Sequence, residues 1–222
     1  MNADRRTAVV AGVLFLVTEA AAIAGAVLYR PLLGGGAAAG AGAGPGAVDR
    51  ALSGVLCELV LVAAVAGTGV ALYPVVRRWG EGLALGYVCA RLVEAVVILL
   101  GIVAVLTLTT LHREAAEPGA ADAVLVAVHD WTFLLGPNVA LGVNTALLAW
   151  LMYRSRLVPR PIAVLGLVGG PLICASAVAV MSGLYAQLSV PGSLAALPVF
   201  AWEVALAGYL VVKGFRDART VG

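Results

Sequence analysis

The chain has 222 residues, of which 62% are hydrophobic and 12% charged, and its mean hydropathy is +1.04. Soluble domains carry about 25% charged residues, so this composition excludes an ordinary soluble fold and leaves room for six short-looped membrane spans with no appended catalytic module. A formal net charge of +2, spread over short loops, excludes nucleic acid as a partner.

The charged segment Met1 to Thr7 precedes an apolar run without a small-residue cleavage site, so that run reads as the first helix, Ala8 to Tyr29, and not as a removed leader. Gly34 to Val48 is almost entirely Gly and Ala around Pro45 and reads as a flexible linker. Hydropathy then predicts helices over Ala51 to Val76 and Leu83 to Thr109. Gly119 to Val128, interrupted only by Asp122, reads as a short helix lying on the membrane surface. Three more spans follow, at Trp131 to Tyr153, Ile162 to Tyr185 and Leu194 to Val212. The predicted fold class is therefore all-α, a single domain over residues 1–222 forming a polytopic bundle of six transmembrane helices.

Basic residues alternate by side. Arg5, Arg6, Arg77, Arg78, Arg154, Arg156, Arg160, Lys213, Arg216 and Arg219 fall on one face, and Arg30, Arg50 and Arg113 on the other. The excess of Lys and Arg on cytoplasmic loops places both termini in the cytoplasm of a bacterial cell membrane, with the acidic loop of Glu114, Glu117, Asp122 and Asp130 outside. Tyr29, Trp131 and Tyr185 at one end, with Tyr73, Trp79, Trp150 and Tyr153 at the other, read as an interfacial aromatic belt. Cys57, Cys89 and Cys174 all fall inside spans and read as buried free thiols.

Ionisable residues at membrane depth cost about 2.5 to 3.5 kcal/mol each on insertion scales and mark a functional interior. Glu19, Glu58, Arg91, Glu94 and Glu203 all interrupt apolar runs. Counted from the outer ends of their spans, Glu58, Asn138 and Glu203 share a similar depth, about 10 to 14 Å in at helical rise. Arg91 and Glu94, three apart, are helix neighbours, and Tyr87, Arg91, Glu94, Ile98 and Gly101 make one interior stripe. Arg91 with Glu94 reads either as a structural ion pair or as part of a site. No cation stands at the depth of Glu58 and Glu203 to pair with both, and a buried, uncompensated carboxyl is held neutral and can donate a proton. Glu19 reads as structural, bonded to Thr18 or to a neighbouring helix. His129 and Asp130 read as solvated residues at the start of the fourth span, Asp130 as its cap, or alternatively as a proton access point. Gly136, Pro137 and Asn138, with Asn144 beyond, loosen that span, and Gly166 with Gly170 gives the fifth a close-packing face.

No nucleophile elbow, phosphate-binding loop, Cys-x-x-Cys pair, His-rich metal cluster or dinucleotide fingerprint occurs, so no cofactor and no metal is expected. The stretches Ala71-Leu-Tyr-Pro-Val-Val-Arg-Arg78, Ala90-Arg-Leu-Val-Glu94, His129-Asp-Trp-Thr-Phe-Leu-Leu-Gly-Pro137, Ser155-Arg-Leu-Val-Pro-Arg160 and Phe200-Ala-Trp-Glu203 together resemble bacterial six-span membrane proteins grouped as a domain of unknown function. In size, helix count and intramembrane acids the chain also resembles the small integral-membrane terpene cyclases of meroterpenoid and indole-terpenoid pathways. That second resemblance implies that Glu58, Glu94 and Glu203 are acids of the kind such cyclases use.

The function expected from these features is cyclisation of a lipophilic prenylated small molecule drawn from the membrane lipid, started by protonation of an alkene. The reaction needs a strong acid in a dry site, an apolar cavity, aromatic faces and a terminating base. Glu203, Glu58 and Glu94 are the candidate catalytic acids and bases. Asn138, Trp202, Phe200, Tyr87, Arg91 and Trp131 are the candidate substrate contacts. The rival expectation is a proton-coupled carrier or a lipid-binding membrane protein using the same acids.

Overall fold

The computed structural model describes residues 3–33, 46–114 and 119–216, and among these the regular elements are all helices. Helix α1 is Ala3–Leu33, α2 is Ala47–Val76, α3 is Glu81–Glu114, α4 is Ala120–Leu134, α5 is Leu141–Ser155, α6 is Arg160–Met181 and α7 is Val190–Val212. A π-helical turn, Leu135–Ala140, joins α4 to α5, so Ala120–Ser155 is one span of 36 residues. Among the described residues six helices are then long and apolar enough to cross a membrane, and the protein is a multi-pass membrane protein. The predicted linker lies largely outside the described residues, as do Glu117 and Arg219.

Successive helices pack as antiparallel neighbours, α1 on α2, α2 on α3, α5 on α6 and α6 on α7, while α3 meets α5 and α7 returns to α1. The result is a closed ring of spans with α4 extending beside α3. Small residues bring the backbones together, as expected where lipid supplies no hydrophobic drive between helices. A Cβ at Gly12 would stand 2.8 Å from the Ala207 carbonyl oxygen, one at Gly170 2.6 Å from that of Gly142, and one at Gly169 2.7 Å from the Val199 nitrogen. Lipid faces the opposite pattern: Leu56, Val70, Val96, Val103, Val168 and Val178 are all exposed, while the buried set includes Arg91, Glu94, Asn144 and Glu203.

The first and last described segments of the chain meet at the same end of the bundle. The Arg5 guanidinium donates to the carbonyls of Leu210, Val211 and Val212 at 2.8 to 3.1 Å, placing a cation on the carbonyl end of α7. Asp4 pairs with Arg78 at 3.3 Å at this end, which is called the basic end below.

Two expectations are corrected by this architecture. Residues 120–128 do not form a separate surface helix: they continue into the fourth span and pack along α3, where His112 Nε2 and Asp122 Oδ2 stand 2.7 Å apart. The span ends are not level either. Helices α6 and α7 have 22 and 23 residues against 30 to 36 in the first four spans. The turn between them reaches the C-terminal end of α4, well inside the fourth span, where Gln187 Nε2 donates to the Phe133 carbonyl at 3.2 Å. Phe133 is 13 residues into α4, so that turn lies about 20 Å below the helix's far tip at helical rise.

Candidate active site

The α3 stripe faces inward as its spacing predicts, with Tyr87, Arg91, Glu94, Ile98 and Gly101 all buried. Arg91, 2% exposed, is its centre. Its Nη1 donates to Glu94 Oε2 at 3.1 Å, its Nη2 to Glu203 Oε1 at 2.8 Å, and its Nε to Tyr87 Oη at 3.4 Å. The Phe15 ring lies 5.1 Å from the guanidinium carbon, within cation–π range. Asn144 Nδ2 donates to Glu94 Oε2 at 2.7 Å, so two donors hold that oxygen.

Glu203 therefore does have a cation at its depth. Because α7 starts deep, counting inward from its own end places Glu203 too near the surface; it lies level with Arg91, while Glu58 sits higher. Glu19 adjoins the same cluster, its carboxyl close to that of Glu203. Thr18, its expected partner, instead donates to the Phe15 carbonyl at 2.7 Å. A hydrogen bond between two carboxyl groups requires one proton, because carboxylate oxygens only accept.

A second polar group stands nearer the far end. Tyr29 Oη donates to Glu58 Oε2 at 2.8 Å. His129 presents its ring edge-on to Tyr29 at 5.5 Å and stacks on Phe133 at 6.2 Å. His129 is 9% exposed, and its Nδ1 has no hydrogen-bond partner among the described residues, Asp130 Oδ1 lying 3.5 Å away. Glycines make this arrangement possible: a Cβ at Gly54 would stand 2.6 Å from the Tyr29 ring, one at Gly25 3.1 Å from Glu58 Cγ, and one at Gly101 2.8 Å from Thr132 Oγ1.

Both groups border one cavity of about 330 Å³, within the range of small-molecule pockets. Its wall includes Glu19, Ile23, Glu58, Leu61, Ile98, His129, Thr132, Asn138, Leu141, Ile173, Phe200 and Glu203. Asn138 reaches it from the π-helical turn, where Pro137 removes a backbone donor and the wider turn accommodates the loss. Ile23 on α1 and Phe200 on α7 line the cavity yet are 55% and 42% exposed, so it reaches the outside of the bundle between these helices. Toward the basic end α1 and α7 close together at Gly12 and Ala207. Below the Arg91 cluster the interior is filled by Phe15, Leu72, Leu148, Met152, Leu206 and Leu210, all fully buried.

Of the residues expected at the site, Glu58, Glu203, Asn138 and Phe200 line the cavity. Glu94, Tyr87 and Arg91 stand behind it in the ion-pair cluster. Trp202 turns away into the core, its ring where a Cβ on Gly166 would reach within 2.7 Å. Trp131, 51% exposed, points to the bundle's outer surface. Sequence reasoning left three residues outside its candidate site: Tyr29 as belt, His129 as solvated or a proton access point, and Glu19 as structural. Asp130 caps nothing, since it lies inside the continuous α4 helix. Cys57 and Cys174 are half-buried and Cys89 is exposed on the lipid-facing side, all three as free thiols.

No curated protein and no solved structure matches the chain. Residues 10–214 match the family described as Domain of unknown function (DUF4386), and the chain belongs to that family.

Proposed function

We propose that this protein is a bacterial cytoplasmic-membrane isomerase that cyclises a lipophilic, prenyl-bearing small molecule by protonating one of its double bonds. The observation that carries the reading is the adjoining carboxyls of Glu19 and Glu203 on the wall of a largely apolar cavity, with Arg91 bonded to Glu203 from behind.

The proton that the pair shares passes to one alkene carbon, and the other becomes cationic. A second double bond attacks it to form the new carbon–carbon bond. A proton then leaves a neighbouring carbon for a carboxylate on the wall, either Glu58 or the pair itself, so the product is an isomer of unchanged mass. Arg91 is placed to meet the negative charge left on Glu203, which is stabilisation directed at the species that develops during the reaction. Glu94 and Asn144 act as positioning residues by holding the guanidinium. Phe200 offers an aromatic face to the cation.

The packed interior between the Arg91 cluster and the basic end favours a one-sided pocket over a carrier, which needs a polar path to both faces. The test is incubation of membranes containing the protein with linear prenylated compounds. Appearance of a cyclic isomer, lost in Glu203→Gln, supports the reading. Proton or solute movement across liposomes, with every prenyl compound unchanged, replaces it with the carrier.

A further inference from the structure

Glu58 and His129 are too far from the acid pair to join it. Glu58 packs against Gly25, six residues along α1 from Glu19, a separation of about 9 Å at helical rise. The far end of the cavity is thus a second polar centre with its own construction. Tyr29 occupies one oxygen of Glu58, Oε2, leaving Oε1 for a ligand. His129, nine-tenths buried, lines the cavity with its ring held between Tyr29 and Phe133, while its sealed Nδ1 lies 3.5 Å from Asp130 Oδ1. The ring's other nitrogen, Nε2, is the one a ligand in the cavity can meet, and it makes no hydrogen bond to another described residue.

From this geometry we infer that Glu58 and His129 form a head-group site for the hydroxyl of a lipophilic alcohol or phenol, whose chain then runs along the cavity toward Glu19 and Glu203. A hydroxyl satisfies both residues at once, donating to Glu58 Oε1 and accepting from the His129 ring N–H. A protonated amine has no lone pair to offer the imidazole N–H, and a hydrocarbon satisfies neither residue. The aligned chain also defines the substrate class: resting on the proposed proton transfer, the reacting double bond lies about 9 Å from the oxygen. At about 1.2 Å of extended reach per bond, that is roughly seven bonds. With Glu58 engaged by the head group, the proton returns to the Glu19–Glu203 pair that released it.

The inference is tested by binding to the purified full chain in nanodiscs. The probes are a linear prenyl alcohol of three isoprene units, its saturated analogue, the corresponding prenyl amine and a hydrocarbon of equal length. The saturated alcohol cannot be protonated at carbon, so its binding is independent of turnover. Both alcohols are expected to bind about tenfold tighter than the hydrocarbon, as two net hydrogen bonds allow. Glu58→Leu and His129→Phe each remove that preference while hydrocarbon binding persists, and Glu19→Gln retains it. Equal affinity of wild-type protein for alcohol and hydrocarbon overturns the site, and tighter binding of the amine overturns the hydroxyl assignment. These wild-type comparisons hold even where a variant fails to fold. An isomerised product without head-group preference removes this inference and leaves the proposed reaction standing. Head-group preference with every probe chemically unchanged does the reverse.

Discussion

Arg91 on α3 and Glu203 on α7 meet at 2.8 Å across the bundle, joining the third span to the last. The bond is buried, and Arg91 also carries Glu94, so removing the guanidinium strands two acids in an apolar interior. Breaking a buried pair from one side typically costs about 3 to 5 kcal/mol. Arg91→Met is expected to destabilise the detergent-solubilised protein by that order, seen as a large fall in unfolding temperature. Arg91→Lys, a point charge lacking the planar fork, should fall between Met and wild type because it cannot serve both acids with the same geometry. A lysine variant as stable as wild type would show that charge alone holds the cluster.

The contact between Gly54 and Tyr29 gives a prediction at the other polar centre. A methyl group at position 54 meets the phenol ring at 2.6 Å, and the ring cannot stay in place. Gly54→Ala is expected to displace Tyr29 from Glu58 and to lower stability by about 1 to 3 kcal/mol, the usual range for overpacking. Gly82→Ala is the control, since nothing lies within 4 Å of a Cβ there. Thermal unfolding of the two variants side by side checks this, and equal behaviour would mean that α1 and α2 yield around Tyr29 without strain.

What could be read from the residues, and what could not, follows from the kind of signal each carries. The six apolar runs and the α3 stripe are periodic and local, so span number and the inward face of Arg91 and Glu94 were legible. Depth was not, because a helix's level depends on where its neighbours end. The short α6 and α7 lower Glu203 to Arg91, and no pattern within α7 records that. Tyr29 and His129 escaped for a related reason: each sits near the end of a predicted apolar run, and only the longer real helices α1 and α4 carry the bundle interior past them. Glu19 has no sequence neighbour that reveals Glu203 as its partner. The one available signal was the Gly-Pro-Asn sequence at 136–138, which breaks the regular helix where it borders the cavity.

Orientation in the membrane follows from charge distribution and can be measured directly. Arg5, Arg6, Arg77, Arg78, Arg154, Arg156 and Arg160 gather at the basic end, and the expectation from the positive-inside rule is that this end faces the cytoplasm. A membrane-impermeant maleimide applied to intact cells should label Gly40→Cys and leave Gly222→Cys unlabelled until the cells are opened. Both positions lie outside the described residues and in the sequence segments flanking the bundle. Labelling of Gly222→Cys alone would invert the assignment.

The carboxyl pair makes the sharpest chemical prediction. If Glu19 and Glu203 share the transferable proton, neither acts alone, and replacing either with Gln removes the arrangement while keeping size and hydrogen-bonding capacity. Each single variant is therefore expected to lower kcat for isomerisation by about 10²- to 10⁴-fold, the usual contribution of a positioned acid. The double variant should fall little further, because groups acting as one unit are strongly non-additive. Glu94→Gln, whose carboxyl stands behind Arg91 and off the cavity wall, should lose much less activity and show most of its effect in stability. Single-turnover rates on the four proteins, compared with their unfolding temperatures, separate chemistry from folding. Multiplicative losses in the double variant would mean that the two acids work independently, and a Glu19→Gln protein with full activity would leave Glu203 as the sole donor, backed by Arg91 alone.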